Sequence, residues 1–213
     1  MTAHIASTVA GDATRRRLIH ATARVLSRKG YSQTRLQEIA EAADLRAPAV
    51  YYHFASRDDL VSAALREGQV LVRDDVVAAL DELPATASSR TRVLSAVAAH
   101  LRIELELSDL ATAVVRTAGH VPHHIRTEIQ PEIDAYHDLW RGLLETAYAD
   151  GVLRPGTDRS VARMPSTMQG RKIKWLQFAA KRRGVAAACD ARPLSVVKVL
   201  KIFGAKTQII GAQ

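Results

Sequence analysis

Apolar residues recur at helical spacing along most of the chain, and no stretch shows the alternation of a half-buried strand. The most informative segment runs from Thr34 to Phe54, where a helical pattern breaks at Asp44-Leu45 and resumes at Ala47. Two short helices joined by a tight turn form a helix-turn-helix, whose second helix enters the DNA major groove. The pattern therefore predicts an all-α protein with a DNA-binding segment near its N-terminus.

Further helices are predicted on both sides of this segment. The preceding one runs from Arg15 to Lys29 and ends at Gly30, a residue suited to a helix C-terminus. The following one runs from Asp58 to Leu83, and breaker residues at 84–89 mark a boundary. The remaining helical segments are 90–107, 110–118 and a long one from about Ile125 to Ala147 that ends at Asp150-Gly151. Pro131 lies inside the last segment, so we expect a kink or a new helix start there.

Residue types around the turn predict local backbone features. Thr34 is expected to cap the first helix through its hydroxyl, and Asp44 to take the left-handed conformation that ends this helix. Arg46 leaves the second helix without a side-chain cap, whereas Pro48 fits its first turn.

The second helix is predicted to present one face to the core and another to the groove. Val50 and Phe54 are four residues apart and face the core. The groove side is left to Ala47, Pro48, Ala49 and Tyr51. Small apolar side chains cannot hydrogen-bond a base edge, so they would read thymine methyl groups and groove shape.

The segment from about Leu18 to Leu65 resembles the DNA-binding part of the TetR family of bacterial repressors. The resemblance rests on Thr34, Ile39-Ala40, Tyr51-Tyr52-His53-Phe54 and Arg57-Asp58-Asp59-Leu60. It departs from the family at Asp44, where glycine is usual, and at Arg46, where Ser or Thr is usual. The resemblance implies a homodimer that places two recognition helices on a palindromic operator in double-stranded DNA and releases it when a small effector binds.

The resemblance also implies roles for individual residues. Tyr52, His53 and Arg57 would hold phosphates, Tyr51 and Arg35 would reach bases, and the start of the first helix would bind phosphate. The alternative for the aromatic run is ordinary packing between helices. The full expected DNA-binding set is Thr34, Arg35, Arg46, Ala47, Pro48, Ala49, Tyr51, Tyr52, His53 and Arg57.

The local charge around the helix-turn-helix supports nucleic-acid binding better than the net charge of the whole chain does. The net charge is +8, but residues 163–213 hold 11 Lys and Arg against one acid, whereas residues 1–162 are slightly acidic. Within residues 13–57, nine Lys and Arg face three acids, and this local excess is the relevant footprint. Arg15, Arg16 and Arg17 begin a helix there, and they either touch phosphate or form a solvated face.

The tail at residues 163–213 departs from the family pattern. Pro and Gly interrupt it, and the segments between them are rich in lysine. One hypothesis is a shifted reading frame after Arg163. We divide the chain into a flexible arm (1–12), a DNA-binding domain (13–60), an effector-binding and dimerisation domain (61–162) and the basic tail. An alternative function is a basic protein that binds nucleic acid or a membrane surface through this tail.

The helices after residue 60 carry one apolar face each, which suits a domain that holds an apolar effector between helices. Their sequence loosely resembles family members that respond to fatty acyl or acyl-CoA compounds, and the expected effector residues are Leu101, Arg116, Tyr136 and Trp140. His120, His124 and Glu128 follow one another at one-turn spacing; they are either a metal site or ordinary surface residues, and we expect no metal and no cofactor.

Other protein classes lack support. The chain has no Gly-rich phosphate loop, no G-x-S-x-G elbow and no HExxH, so we expect no enzymatic activity. One cysteine excludes an internal disulfide, and neither a secretion signal nor a membrane-spanning run is evident. We therefore expect a cytoplasmic protein without membrane association.

Overall fold

The computed structural model describes residues 2–105, 108–117 and 119–152, including their side chains except at 2–10, 101, 104, 105 and 115. The predictions for the tail at 163–213 lie outside the described residues. Within the described part every regular element is a helix, which confirms the all-α prediction. No helix in these ranges has the length and apolar character needed to cross a membrane.

Seven helices make up the described part of the chain. They are α1 (Thr2–Lys29), α2 (Leu36–Ala42), α3 (Ala47–Val50), α4 (Arg57–Asp81), α5 (Ser89–Leu105), α6 (Asp109–Thr117) and α7 (His123–Ala149). Gly30 and Gly151 follow α1 and α7 with φ of 75° and 71°, the left-handed conformation expected at these two helix ends. α7 continues through Pro131, so no new helix starts there.

The start of α1 was predicted at Arg15, and this prediction was wrong. The helix already begins at Thr2 and so includes most of the segment expected to be a flexible arm. Residues 2–14 contain several alanines and no proline, and extending an existing helix avoids the cost of nucleating a new one. The mobility of residues 1–12 stays a prediction.

The helices group into two compact units that alternate along the chain. Met1–Leu71 and Ser108–Glu132 form the head unit, whereas Val72–Leu107 and the described residues 133–152 form the body unit. α6 and the first turns of α7 group with the predicted DNA-binding segment. The domain division drawn from the sequence stays a prediction.

The head unit is built around α1. Ser27 on α1 donates a hydrogen bond to Asp109 of α6 (Oγ to Oδ1, 2.7 Å), and Arg116 of α6 donates to the Ser27 carbonyl. α4 approaches α6 closely at Gly68. The larger fully buried side chains of this unit are Leu18, Ile19, Leu26, Ile39, Val50, Leu60, Leu65, Ile125 and Ile129.

The body unit contains the second half of α4, α5 and most of α7. Arg102 of α5 donates to Asp75 of α4 (Nη2 to Oδ1, 2.8 Å), and Ser95 donates to the Ala79 carbonyl (3.2 Å). The buried apolar side chains include Val72, Val76, Val97, Tyr136, Trp140 and Ala147. The apolar faces predicted for α4 and α7 therefore include residues that are buried in the structure.

Replacing Gly68 with alanine is expected to destabilise the head unit by about 1 to 3 kcal/mol. A Cβ at this position would lie 2.6 Å from Val114 Cγ2 and 2.7 Å from the Leu110 carbonyl oxygen. The carbonyl oxygen belongs to the α6 backbone and cannot move aside by a rotamer change. The midpoint of thermal or urea unfolding measures the effect.

Gly142→Ala is the matched control, since Gly142 also lies within a helix and a Cβ there meets nothing within 4 Å. It should stabilise the protein by about 0.5 to 1 kcal/mol, the ordinary gain for glycine to alanine inside a helix. Equal gains from both substitutions would contradict a tight α4–α6 contact.

Candidate nucleic-acid interface

The turn between α2 and α3 has the predicted backbone. Asp44 takes φ of 54°, and its short polar side chain tolerates this left-handed conformation better than most residues. Two backbone hydrogen bonds hold the turn, from the Asp44 N–H to the Glu41 carbonyl (3.0 Å) and from the Leu45 N–H to the Ala40 carbonyl (2.8 Å). This compact turn lets α3 pack against α2.

The prediction that Thr34 caps α2 was wrong. The N-cap residue is Arg35, which makes no side-chain cap, and the helix begins at Leu36. The Thr34 side chain is buried, and its hydroxyl donates to the Gly30 carbonyl at 2.7 Å. Thr34 lies one residue before the N-cap position of α2. Its hydroxyl therefore bonds a carbonyl after the end of α1 instead of an N–H group at the start of α2.

α3 is shorter than the two turns predicted. It ends at Val50, and the chain continues to His53 in a tighter turn, with N–H groups of Tyr51, Tyr52 and His53 donating to carbonyls three residues earlier. As expected, Arg46 provides no side-chain cap and Pro48 lies in the first turn. The recognition element is therefore one helical turn extended by a short tight turn.

Two tyrosines project from the end of this element. Tyr51 is 60% exposed and Tyr52 is 90% exposed, the two highest values among the large exposed hydrophobic residues of the described chain. Ordinary packing between helices, the alternative considered for this run, does not describe them. Phe54, two residues later, is buried together with Val50, as predicted for the core-facing positions.

The other expected DNA-binding residues lie on the same segment at different depths. Arg35, Arg46 and Pro48 are exposed, and Ala47, Ala49 and His53 are half-buried. The segment thus exposes cations and aromatic rings, with small apolar side chains at 47 and 49.

Helix α1 supports this surface from behind. Arg24 donates to the Ala42 carbonyl at the end of α2, and Lys29 forms an ion pair with Glu38. The hydrogen bond from Lys29 lowers the pKa of the Glu38 carboxyl. Arg15, one of the three arginines proposed either for phosphate or for a solvated face, lies over the Phe54 ring at 4.9 Å. α1 therefore fixes both α2 and the end of the recognition element.

Arg57, expected at a phosphate, makes several bonds within the protein. Its Nη1 donates to the Thr34 carbonyl (3.1 Å), its Nη2 and Nε donate to Asp58 Oδ1 (2.8 and 3.1 Å), and its guanidinium lies 4.4 Å from the centre of the Tyr31 ring. Burial opposes ionisation of Asp58, but hydrogen bonds from Arg57, His124 and Tyr31 together hold the pKa of its carboxyl below the usual value. Asp58 is therefore an ionised partner of Arg57.

Two of the expected effector residues come together in the body unit. The Trp140 and Tyr136 rings are both buried and contact edge to face, with centroids 6.1 Å apart. His100 joins them, with Nδ1 2.7 Å from the Tyr136 hydroxyl, and burial lowers the pKa of His100 to about 4. A neutral histidine and a tyrosine hydroxyl thus form a polar pair inside an apolar core.

The other two expected effector residues are placed differently. Arg116 belongs to the head unit, where its guanidinium bonds to the Ser27 carbonyl on α1. Leu101 lies on α5, but its side chain is outside the described residues. A role for either residue at an effector stays a prediction.

Sequence reasoning misses Tyr31 and His100, and it gives Asp58 and His124 other roles. It assigns Asp58 to a helix start, and it leaves His124 as either a metal ligand or a surface residue. In the structure His124 contacts Asp58, 66 residues earlier in the chain. Local spacing carries no signal for such a contact.

Comparison with known proteins agrees with this geometry. KstR2, a transcriptional repressor of Rhodococcus jostii, is 26% identical over 165 residues, which cover 76% of this chain and 79% of that protein. The structure of the Bacillus subtilis regulator FadR in complex with stearoyl-CoA matches with a TM-score of 0.67 and 17% identity, over 92% of this chain and 98% of that one. AibR in complex with isovaleryl coenzyme A and operator DNA matches with a TM-score of 0.63 and 19% identity, over 78% and 95%.

Two family models match separate parts of the chain. Residues 18–64 match the bacterial regulatory proteins of the tetR family, and residues 86–177 match the tetracyclin repressor-like C-terminal domain. The second match passes Arg163, where the resemblance was expected to end. The first match spans the helix-turn-helix and the second covers most of the helical segments that follow residue 85, so the chain belongs to the TetR family of bacterial transcriptional regulators.

Proposed function

We propose that the protein is a transcriptional repressor that binds a palindromic operator as a homodimer and leaves it when an apolar effector binds the body unit. The exposure of Tyr51 and Tyr52 at the end of the helix-turn-helix carries the proposal. Large aromatic side chains that project from a basic surface are suited to contact a ligand, because their exposure would otherwise leave apolar area in water.

The proposed contacts to DNA follow from the exposure of each side chain and from the groups it can bond. Tyr52 and His53 bind phosphates, which fix the position of the protein without reading sequence. Arg35, Arg46 and Tyr51 reach toward base edges, and Ala47, Pro48 and Ala49 contact thymine methyl groups in the major groove. Thr34 contributes no side-chain contact, since its hydroxyl is already bonded and buried.

A single recognition element of this length covers too few base pairs for specific binding. A two-fold homodimer doubles the contacted site, and its symmetry matches an inverted repeat with half-sites about one helical turn apart. The matched C-terminal family domain, at residues 86–177, supports a dimerising body.

The effector is proposed to be a fatty acyl or acyl-CoA compound. Two solved structures of the same fold hold stearoyl-CoA and isovaleryl coenzyme A, which supports this class. In this chain the cluster of His100, Tyr136 and Trp140 gives the body unit aromatic rings suited to contact an acyl chain. Effector binding would shift the operator-binding equilibrium by a coupling of about 1 to 3 kcal/mol. The proposal involves no catalysed reaction and places the protein with the chromosome in the cytoplasm.

Selection from randomised DNA duplexes is expected to enrich an inverted repeat, and light scattering to show two chains on each selected duplex. Binding should weaken steeply with salt, because basic side chains displace counterions from the phosphates. Long-chain acyl-CoA added to the complex should release the DNA, measured by fluorescence anisotropy of the labelled duplex.

Free coenzyme A and the free fatty acid are the controls for the effector. Equal affinity for single strands, duplexes of any sequence and anionic lipid vesicles would contradict the repressor and favour the basic-protein alternative.

Tyr52→Ala is expected to weaken binding to every duplex by about threefold to tenfold, the loss of one phosphate hydrogen bond. Since the side chain is 90% exposed, thermal stability should not change. Tyr148→Ala, at an exposed tyrosine on α7, is the matched control and should leave DNA binding intact. A loss confined to one operator sequence would contradict the phosphate role of Tyr52.

His100 is expected to make the body unit sensitive to mild acid. Its pKa falls from 6.5 to about 4 on folding, so the unfolded chain binds the proton more tightly between these values. Stability is therefore full above pH 6.5 and decreases as the pH falls toward 4, with a total loss on the order of 3 kcal/mol. Urea unfolding across this range measures the loss.

His100→Asn removes the titrating group while its amide can still bond the Tyr136 hydroxyl, so the variant should show a flatter profile between pH 4 and 6.5. His123→Asn, at an exposed histidine, should keep the profile of the native chain. Identical profiles for the His100 variant and the native chain would show that His100 is not the acid-sensitive group.

A further inference from the structure

Asp58 lies where three segments of the head unit meet. Its Oδ1 accepts hydrogen bonds from Arg57 (2.8 and 3.1 Å) and the Tyr31 hydroxyl (3.1 Å), and its Oδ2 lies 2.9 Å from His124 Nε2. A carboxylate only accepts, so the imidazole is the donor in the last contact. One side chain thus joins the loop after α1, the start of α4 and the first turn of α7.

Arg57 extends this junction to the helix-turn-helix. Its guanidinium lies over the Tyr31 ring and donates to both Asp58 and the Thr34 carbonyl, two residues before α2 begins. This arrangement uses the planar fork and the flat face of an arginine, which a lysine cannot reproduce. Arg57, bonded to Asp58, thus connects the residue before the N-cap of α2 with the start of α4.

The sign of the Asp58 charge excludes a direct attraction to DNA. Asp58 follows a segment, residues 13–57, in which nine Lys and Arg face three acids, and a carboxylate there repels phosphates. Its side chain is 28% exposed, and ion pairs at such positions add little to stability. Asp58 therefore serves a DNA-binding head by fixing the positions of the groups bonded to it and not by its charge.

We propose that Asp58 is a positioning residue for operator recognition, which with His124 holds Arg57 and the loop before α2 in the orientation that specific binding requires. This inference rests on the proposed function. It gives Arg57 an internal role in place of the phosphate contact expected from the family. The same junction ties the first turn of α7 to the recognition segment, because His124 is the second residue of that helix.

The test compares two neighbouring carboxylates in the full-length protein, Asp58→Asn and Asp59→Asn. Both variants remove one negative charge near the DNA, so both should bind a nonspecific duplex as well as or better than the native chain. Asp58→Asn alone should lose about tenfold in affinity for the selected operator, because Arg57 loses its charge-assisted partner. Titrations with the operator and with a scrambled duplex measure the two effects.

Arg57 separates positioning from phosphate contact. If it positions the head, Arg57→Lys should lose operator affinity as Arg57→Ala does, and the salt dependence should keep the native slope. If it only binds phosphate, Arg57→Lys should bind nearly as the native chain, and Arg57→Ala should reduce the salt slope by about one. The second result would overturn the proposal.

His124 provides a variant that folds in either case, since its side chain is 58% exposed. His124→Ala should weaken operator binding about threefold. His124→Gln should restore it because its amide can donate to Asp58, and the neighbouring His123→Ala should have no effect. A native chain without preference for any duplex would refute the proposed function itself. A native preference that Asp58→Asn and His124→Ala both retain would refute only the positioning role.

Discussion

A four-residue helix has no stability of its own, because forming the first turn costs more than its single hydrogen bond returns. α3 spans only Ala47–Val50, so its shape and direction depend on what surrounds it. Val50 and Phe54 anchor it to the core, and α1 holds α2 through Arg24 and Lys29. The position of α3 is thus determined by the helices that pack against it.

The same dependence explains why the head unit includes distant parts of the chain. α6 and the first turns of α7 group with α1 and the start of α4, although Val72–Leu107 of the body unit separates them in sequence. Ser27, Asp109 and Arg116 connect α1 to α6 through hydrogen bonds. A displacement of Asp109 or Arg116 would therefore act on α1, the helix that contacts α2.

Features fixed by residue type or spacing could be predicted from the sequence. Gly30, Asp44 and Gly151 take left-handed conformations because few other residues tolerate them, and Val50 and Phe54 are buried at helical spacing. Features in which a side chain can bond either its own helix or another segment could not be predicted from the sequence. Thr34 bonds to Gly30 instead of capping α2, and Asp58 meets Tyr31 and His124 across 27 and 66 residues. Packing decides which of these partners a polar side chain bonds. The spacing of apolar residues carries no information about that packing.

The contact at Gly68 has a mechanical consequence. Where two helices meet through long side chains, a small displacement of one is absorbed by rotamer changes in the layer between them. Gly68 has no side chain, and the Leu110 carbonyl and Val114 methyl group of α6 lie directly against the space beside its Cα. The contact between α4 and α6 is therefore stiff at this point, and a shift of α6 toward α4 acts directly on the α4 backbone at Gly68.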